Sequence, residues 1–497
     1  MMRRSAYWEE RSIGTTRIAE GSDGGYAFAL WACNVASTLA RSRSFRYRGI
    51  DLQHAFRRAS YAALIDDPAA YEMFLAEQRS ERSAGPGKAK PTSELVAEYL
   101  SASGAVADMH LSAGERMRNV ARRAATAMLC PPRSGALWML AMHRRFVRHL
   151  EPVMQALDES YRVVTFDDPV TDEYVREQGY LSLNIGPGNR AAPLQPFANP
   201  LSLARKLAIA YDAAFCALWD EPPRGIVVPD GNDPIHEIVN LVARKLGIPT
   251  VCVQQGWSPM VDSSFRDTSF SSMVVWGDWF TGALVRHSPK QRICALGNHM
   301  IDRGSPRSGR PRTIGFFLQP RCHLVSDDAW SAMLDLIEFC ARELPGARVL
   351  VREHPTAALD GDELRRLLAL PGVELVPPDR VPLRPVLARC DIVVSIFAAT
   401  ILEGIGAGAL PVIVNTTSMP SYYPDVAAEG AGIEVKDFAA AREALRELWS
   451  QGTDRYAPRI AAMQRRLFTH CGSDALERIV AHVRSEFGLA TGHSAQR

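Results

Sequence analysis

The stretch DIVVSIFAATILEGIGAGALPVIV, residues 391–414, has the pattern of a strand, a loop, a helix and a second strand. Two short apolar runs flank one helical segment, so the two strands are expected to lie parallel in one sheet with the helix packed across it. Before this stretch, TIGFFLQ, ARVLV and VELVP predict three more strands, with helical periodicity between them. After it, GIEV and two helical segments reach about Phe487. The alternation predicts a parallel sheet covered on both faces, which binds ligands at the carboxyl ends of its strands.

The first half of the chain alternates in the same way from Tyr161 onward, through RVVTF, GIVVPDG, IHEIVNLVARKLG, PTVCVQQG, SMVVWG and RICALGN. Residues 1–150 have a mostly helical pattern, from which we predict no ordered sheet. The segment RGSPRSGRPR, residues 303–312, lacks apolar residues and predicts a linker. We therefore predict an α/β fold of two Rossmann-like lobes that face a cleft, with a helical N-terminal elaboration on the first lobe.

Composition places the chain among ordinary globular proteins. Of its 497 residues, 47% are hydrophobic and 23% charged, and the net charge of +2 gives no sign of nucleic-acid binding. Nine cysteines occur without a C-x-x-C pair, which favours reduced thiols in the cytoplasm over disulfides or a zinc site. The N-terminus lacks the apolar core of a signal peptide, and no apolar run reaches membrane-spanning length. We expect a cytoplasmic protein that at most contacts a membrane surface.

Eight arginines without an acidic residue lie between Arg116 and Arg148, interleaved with Met, Leu, Trp and Phe. A basic amphipathic surface of this kind suits contact with anionic lipid or with a lipid-diphosphate. Solvated faces of ordinary helices explain the same pattern equally well.

The segment VREHP, residues 351–355, ends a buried strand in charged and polar side chains. An imidazole at that position, His354, can bond a phosphate oxygen or donate a proton to a leaving group, and Pro355 would fix the turn that holds it. Strand alternation places Arg352 on the same face as His354 and Glu353 on the opposite one. We therefore expect Arg352 to assist in binding phosphate and Glu353 to be structural. A strand-end histidine with only a local backbone hydrogen bond is the alternative.

Thr400 and Glu403 have the spacing of a capping box, which would start a helix beside the end of strand DIVVS. Such a helix start is a ready anion site, to which Ser395 and Thr400 would add hydroxyl donors. In the alternative interpretation the box only starts a helix. The small residues Gly404, Gly406 and Gly408 predict close packing of another segment against it.

Several nucleotide and metal motifs are excluded. The spacing G-x-G-x-G in 404–408 is not the dinucleotide fingerprint, so we do not expect a nicotinamide or flavin cofactor, and no P-loop motif occurs. The segment DGD, residues 360–362, precedes a helix and predicts an N-cap in place of a metal site. No metal is expected to be required.

In the first half, two strand ends carry polar side chains that would face the cleft. Asp230 and Glu237 are candidates for a general base or nucleophile, although Asp230 is also explained as a turn residue and the acids near 233–237 as a helix start. Gln254, Gln255 and Trp257 follow the next strand and are expected to line the same side of the cleft.

The segments at 225–430 resemble bacterial surface-polysaccharide glycosyltransferases of the two-Rossmann GT-B type, a broad group that includes capsule Kdo transferases, polysialyltransferases and CDP-glycerol glycerophosphotransferases. In that group the His-Pro pair and the Ser/Thr-x-x-Glu helix start grip the nucleotide diphosphate, which implies this role for His354, Pro355, Thr400 and Glu403. The chain departs from the pattern in having Gln255 where relatives often have His, and Ala398-Ala399 where they often have Ser-Ser.

The resemblance implies a metal-independent glycosyltransferase without a cofactor that moves a sugar from a nucleotide-sugar to a surface polysaccharide or glycolipid acceptor. Residues 1–302 would form the acceptor-side lobe, 303–312 the linker, 313–487 the nucleotide-sugar-binding lobe and 488–497 a flexible tail. The alternatives are a nucleotide-sugar 2-epimerase and a catalytically degenerate nucleotide-binding scaffold of a polysaccharide-synthesis complex. Product analysis with the donor alone separates the two enzymes.

Overall fold

A computed structural model describes residues 25–41, 46–65, 68–84, 135–166, 168–185, 200–231, 233–257, 266–321, 325–354, 358–417, 419, 421–422 and 424–489. Two separate parallel sheets, one in each half of the chain, form the cores of two lobes. This arrangement confirms the predicted α/β fold of two Rossmann-like lobes.

The first lobe contains a seven-stranded parallel sheet in the order β5-β4-β3-β6-β7-β8-β9. Its strands are Leu137–Leu140 (β3), Tyr161–Phe166 (β4), Ser182–Ile185 (β5), Ile226–Pro229 (β6), Thr250–Val253 (β7), Ser272–Val275 (β8) and Ile293–Ala295 (β9). Helices Arg144–Leu157 (α4), Pro169–Glu177 (α5), Pro200–Asp220 (α6), Pro234–Lys245 (α7) and Asp278–Val285 (α8) connect or flank them.

Two of these strands were missed by the sequence pattern. β3 lies between β4 and β6 near the middle of the sheet, inside the range for which no ordered sheet was predicted. All four of its residues are buried, so its side chains show no alternation to distinguish it from a buried helix. β5 is also short, with polar Ser182 and Asn184 along it. Continuous burial and short length hide such strands in a sequence.

The helical elaboration before this sheet comprises Gly25–Arg41 (α1), Gln53–Ile65 (α2) and Pro68–Ala84 (α3), with a small hairpin of Arg46–Tyr47 (β1) and Ile50–Asp51 (β2). α2 packs against α6 and α7 of the first lobe. At the other end, the backbone N–H of Tyr26 donates to the carbonyl oxygen of Thr417 in the second lobe, at 3.0 Å. The predicted elaboration is confirmed, and it contacts both lobes.

The second lobe contains a six-stranded parallel sheet in the order β12-β11-β10-β13-β14-β15. Its strands are Thr313–Phe317 (β10), Arg348–Arg352 (β11), Val373–Leu375 (β12), Ile392–Ser395 (β13), Leu410–Val414 (β14) and Ile433–Val435 (β15). The helices are Asp327–Glu343 (α9), Gly361–Leu368 (α10), Leu383–Leu387 (α11), Thr400–Gly406 (α12), Phe438–Gln451 (α13), Ala457–Leu467 (α14) and Gly472–Phe487 (α15). Every strand predicted here is present, but three helices follow β15 where two were predicted.

The order of this sheet determines where a ligand can bind. β10 lies at the centre, with β11 on one side and β13 on the other, so the chain reverses its direction of progress there. The crevice at the carboxyl ends of β10, β11 and β13 is the place where open parallel sheets bind ligands.

The predicted linker, residues 303–312, is packed against the second lobe. Gly304 donates its N–H to the carbonyl oxygen of Gly406 at 3.0 Å, and Arg307 donates to that of Gly408 at 2.8 Å. A β-carbon on Gly304 would overlap the carbonyl oxygen of Ala407, and one on Gly406 would overlap Ile301. The close packing predicted for the α12 glycines is thus confirmed.

The chain returns to the first lobe at its end. Asn298 forms a parallel bridge with Cys471, and the N–H of Thr469 donates to the carbonyl oxygen of Trp276 at 3.0 Å. α15 then packs on α4, and its apolar side chains join the core beneath β3. The last helix assigned to 313–487 therefore packs with the first lobe. Of the predicted tail, Gly488 and Leu489 are held in place, and 490–497 lie outside the described residues.

Among the described helices, none is both long and apolar enough to cross a bilayer.

Candidate functional site

His354 follows the carboxyl end of β11 and faces the first lobe across the cleft. Its side chain is half-buried, and its pKa is lowered, chiefly by burial and further by the nearby charges of Arg145 and His143. Both of those residues come from the loop and helix that follow β3. His354 thus lies just past the carboxyl end of a strand, as the sequence predicts. Pro355 lies outside the described residues.

Arg352 ends β11 and is almost fully buried. Its guanidinium donates to the carbonyl oxygen of Val381 at 2.7 Å, and burial lowers its pKa while the carboxylate of Glu403 opposes that shift. The charge of Arg148, from the first lobe, also lowers it. Arg352 therefore carries positive charge at the crevice while its hydrogen bonds hold the loop after β12. Glu353 accepts the backbone N–H of Leu359 at 2.7 Å, which fits the structural role predicted for it.

The helix start after β13 differs from the prediction. α12 begins at Thr400 with Ala399 as its N-cap, and no side chain caps it, so Thr400 and Glu403 do not form a capping box. Instead, the Thr400 hydroxyl hydrogen-bonds the Glu403 carboxyl, and the N–H of Ile401 donates to the carbonyl oxygen of Ala398 at 3.1 Å. A main-chain turn thus replaces the side-chain cap.

Glu403 has an unusual titration. Burial of its carboxyl raises the pKa to about 7, against the lowering effects of Thr400 and Arg352, although part of the residue reaches solvent. A carboxyl with this pKa is partly neutral near pH 7, so it repels an anionic ligand less than an ordinary glutamate would. Thr400, Glu403 and Arg352 form one connected group.

Contrary to the prediction, Ser395 does not offer its hydroxyl to the crevice. Its hydroxyl is fully buried and donates to the carbonyl oxygen of Phe317 at 2.8 Å, which fastens β13 to β10. The single hydroxyl hydrogen is used within the sheet, so Ser395 cannot donate to a phosphate.

Two crevice residues were missed in the sequence. Gln319 follows β10, and its side-chain oxygen accepts the backbone N–H of Phe397 at 2.8 Å. Tyr422 is fully buried, and its hydroxyl donates to the carbonyl oxygen of Ala398 at 3.0 Å. Both shape the loop between β13 and α12. Gln319 is the last residue of the predicted strand TIGFFLQ, a signal that could have identified it, whereas nothing near Tyr422 in the sequence indicates its position.

In the first lobe, Asp230 follows β6 in a strained backbone conformation. Its φ of 64° is positive, and the N–H of Gly231 donates to the carbonyl oxygen of Pro229 at 2.7 Å, which closes a γ-turn around Asp230. Strain of this kind at a strand end suggests a function for the residue it holds. The aspartate is nearly buried, at 6% exposure. Asp230 thus stands as the acidic candidate at this edge.

Glu237 lies in a buried ion pair. Its carboxylate accepts from Arg58 of α2 at 3.1 Å, with both side chains 1% exposed, and Arg58 also donates to the carbonyl oxygen of Gly231 at 3.3 Å. A carboxylate neutralised inside the protein is poorly placed to take a proton from a substrate. The geometry favours a structural role for Glu237.

The residues after β7 turn largely inward. Gln254 is buried; its side-chain oxygen accepts the N–H of Trp276 at 3.0 Å. Trp257 packs edge-on against Trp279 and Phe280, with ring centroids 5.5 and 5.2 Å away. Gln255 is half-buried. Of the three predicted cleft residues, Gln254 and Trp257 form part of the lobe's core.

The sequence pattern did not identify the residues at the start of α4 as part of a site. His143 is its N-cap and accepts the N–H of Arg145 on its own Nδ1 at 3.1 Å. Arg144 and Arg145 are exposed, and Arg148 donates to the hydroxyl of Tyr174 at 3.2 Å. These three arginines end the basic run noted in the sequence, whose members before residue 135 lie outside the described part.

The described residues contain no group of three or more His, Cys, Asp or Glu side chains that could hold a metal ion. The segment around Asp360 forms a helix cap, as predicted. Its carboxylate accepts the N–H groups of Asp362 and Glu363, and the side chain of Glu363 accepts the N–H of Asp360 in return.

No protein-family model matches the sequence, and comparison with curated proteins gives no match. Among solved structures, a putative UDP-N-acetylglucosamine 2-epimerase from Listeria monocytogenes is similar, with a TM-score of 0.50, 12% identity, and coverage of 73% of this chain and 99% of that one. A UDP-GlcNAc 2-epimerase from Neisseria meningitidis bound to UDP-GlcNAc has a TM-score of 0.48 and 13% identity, covering 70% and 100% of the two chains. MurG from Acinetobacter baumannii has a TM-score of 0.43 and 14% identity, covering 71% and 100%.

At such low identities a likeness carries the fold and not the activity. The two sheets, the crossover and the returning last helix together give this chain the arrangement of two Rossmann-like lobes around a cleft that is known as GT-B.

Proposed function

We propose that the protein is a metal-independent glycosyltransferase that moves a sugar from a nucleotide-sugar to a glycan or lipid-linked acceptor of the bacterial surface. One observation supports it most. His354 and Arg352, at the carboxyl end of β11, face the basic start of α4 across the cleft. Arg352 and His354 thereby present a cationic and an imidazole group at the crevice of the second lobe, as the binding of a diphosphate requires, while the start of α4 lies on the acceptor's side of the same cleft.

In this proposal the second lobe, within 313–487, holds the nucleotide diphosphate. Arg352 supplies positive charge, and Thr400 and Glu403, which hydrogen-bond each other, hold the start of α12 beside it. The lowered pKa of His354 leaves its imidazole neutral near pH 7, so it presents an N–H donor to the phosphate. A bound phosphate raises that pKa by its negative charge and favours the protonated ring.

The transfer breaks the bond between the anomeric carbon and the phosphate oxygen and forms a bond from that carbon to an acceptor hydroxyl oxygen. Negative charge builds on the leaving diphosphate, where His354 donates, and the acceptor proton passes to a base for which Asp230 is our candidate. The first lobe, within 1–302, would hold the acceptor. The nucleoside diphosphate leaves with the bonding electron pair.

The protein would work in the cytoplasm, where nucleotide-sugars are present, at or near the membrane surface.

The test is a product analysis. The protein is incubated with CMP-, CDP-, UDP-, GDP- and dTDP-sugars, with and without glycan or lipid-linked acceptors, and the products are followed by mass spectrometry. Nucleotide release that depends on the acceptor, with a sugar added to it, supports the proposal. Conversion of a donor alone into its C2 epimer would establish the epimerase instead, an activity named for the Listeria protein of the same fold. Binding of a nucleotide without either product would support the scaffold.

A further inference from the structure

The first turn of α4 carries positive charge whose arginines form no ion pair with a carboxylate among the described residues, although the charge of Asp168 lies near His143. We use the name α4 basic cluster for His143, Arg144, Arg145 and Arg148. Neither Arg144 nor Arg145 forms an ion pair with any described residue, and the first helical turn contains no acid. Within the described part of the chain, Arg148 bonds the hydroxyl of Tyr174 and stacks on its ring.

This arrangement is unfavourable in the absence of a ligand. Arg144 and Arg148 are four positions apart and Arg145 and Arg148 three, so like charges lie beside one another on the helix surface. Arg352 and His354 of the other lobe add further positive or protonatable groups near this cluster. Burial is the main cause that lowers the pKa of each, and the charges of Arg148 and Arg145, respectively, lower them further. An oxyanion bound between them relieves this repulsion and matches the planar fork of arginine.

A second observation beside the cluster also indicates a ligand. His236 of α7 is fully buried, and neither of its ring nitrogens has a hydrogen-bond partner in the described part of the chain. Its ring lies against that of Phe146, in the first turn of α4, with centroids 5.8 Å apart. The nearby charge of Arg145 contributes to lowering its pKa to about 4, of which burial is the main cause. Buried polar groups are normally paired, so a buried imidazole without a partner among the described residues, packed on the first turn of α4, points to a polar ligand on this side of the cleft.

We propose that the α4 basic cluster binds an anionic group of the acceptor, a phosphate or a carboxylate, at the same time as the donor diphosphate occupies the crevice of the second lobe. The inference rests on the proposed function and adds to it that the acceptor is negatively charged next to the hydroxyl that receives the sugar. The donor's own phosphates are the other source of the same chemistry, and the test separates the two sources.

The probes are inorganic phosphate and glycerol 1-phosphate, titrated by calorimetry into the protein with and without a saturating nucleoside diphosphate, against sodium chloride at equal ionic strength. Arg144→Gln/Arg145→Gln is compared with Arg244→Gln, an exposed arginine at the carboxyl end of α7, on the opposite edge of the sheet. We expect saturable phosphate binding to the nucleotide-bound wild type and to the control. In the double variant, phosphate affinity should fall about tenfold or more while nucleotide affinity changes by less than about threefold.

Three results would overturn the inference: no saturable phosphate binding, competition between phosphate and the nucleotide, or loss of nucleotide affinity in the double variant as large as the loss of phosphate affinity. The last two would assign the cluster to the donor. If no nucleotide binds at all, the proposed function fails, whereas phosphate binding that depends on Arg144 and Arg145 still supports an anion site. Circular dichroism of both variants verifies that they fold.

Discussion

Ser395 and Thr400 are both hydroxyl residues near the end of β13, yet their surroundings differ. Ser395 donates within the sheet to Phe317, whereas Thr400 lies half-buried beside Glu403 at the crevice. The sequence indicates only that both lie near a strand end. Which hydroxyl is used within the sheet depends on the neighbouring strand, and the partner of Ser395 comes from a segment 78 residues away.

The two hydroxyls should therefore respond differently to substitution. Ser395→Ala removes a buried hydrogen bond and should lower the free energy of unfolding by about 1 kcal/mol without changing nucleotide affinity. Thr400→Val keeps the shape but removes the donor to Glu403, so nucleotide affinity should fall about tenfold with little loss of stability. Urea denaturation and titration calorimetry measure the two quantities. Unchanged affinity in Thr400→Val would limit Thr400 to a structural role.

At the scale of elements, the Arg58–Glu237 pair joins the helical elaboration to the first lobe. Arg58 of α2 also bonds the carbonyl oxygen of Gly231, directly after Asp230, so the pair supports the strained turn that holds the candidate base. The sequence placed Glu237 at the right helix start. Its partner lies 179 positions away, in a segment whose arrangement the sequence pattern did not give.

Replacing only one member of this ion pair should destabilise the protein. Arg58→Met leaves the Glu237 charge buried and unpaired and should lower the free energy of unfolding by about 3–5 kcal/mol. The double variant Arg58→Met/Glu237→Leu removes both charges and should recover most of that loss. Thermal and urea unfolding of the three proteins tests this. If Glu237→Gln folds normally but loses activity by orders of magnitude, Glu237 has the catalytic role first predicted for it.

At the scale of the whole molecule, the two lobes differ in how much of their structure the sequence pattern predicts. The lobe that contains DIVVSIFAAT was predicted strand by strand, because its short apolar runs alternate with long amphipathic helices. β3 was not predicted, because its four residues are all buried and show no hydrophobic alternation. The return of α15 to the first lobe was not predicted either. His354 was placed correctly as a strand-end residue, but the facing cluster on α4 becomes visible only when the two lobes are assembled.

Two buried histidines of the first lobe should make the stability of the protein sensitive to acid. His149 of α4 and His299 lie with ring centroids 4.7 Å apart, and a ring nitrogen of His299 lies 2.8 Å from the carbonyl oxygen of His149. Burial lowers both pKa values, and for His149 the nearby His299 contributes further. The unfolded chain binds protons near pH 6.5, whereas the folded chain resists them to lower pH.

The stability from these groups is therefore fully present above about pH 6.5 and is lost as the pH falls below it. We expect the melting temperature to fall between pH 7 and pH 5, and to fall less in His149→Phe, which has no group to protonate. Differential scanning fluorimetry across this range measures both. The same slope in wild type and variant would show that His149 does not contribute to the acid sensitivity.

The central claim is that His354 contacts the phosphates of a nucleotide held at the carboxyl ends of β10, β11 and β13. Titration calorimetry with the preferred nucleoside diphosphate, in two buffers of different ionisation enthalpy near pH 6.5, tests it most directly. Since bound phosphate raises the pKa of His354, we expect the wild type to take up a proton on binding. In His354→Ala that uptake should fall and the affinity should drop about tenfold or more, while His482→Ala, on α15, should behave as wild type. Equal affinity and equal proton uptake in wild type and His354→Ala would contradict the account.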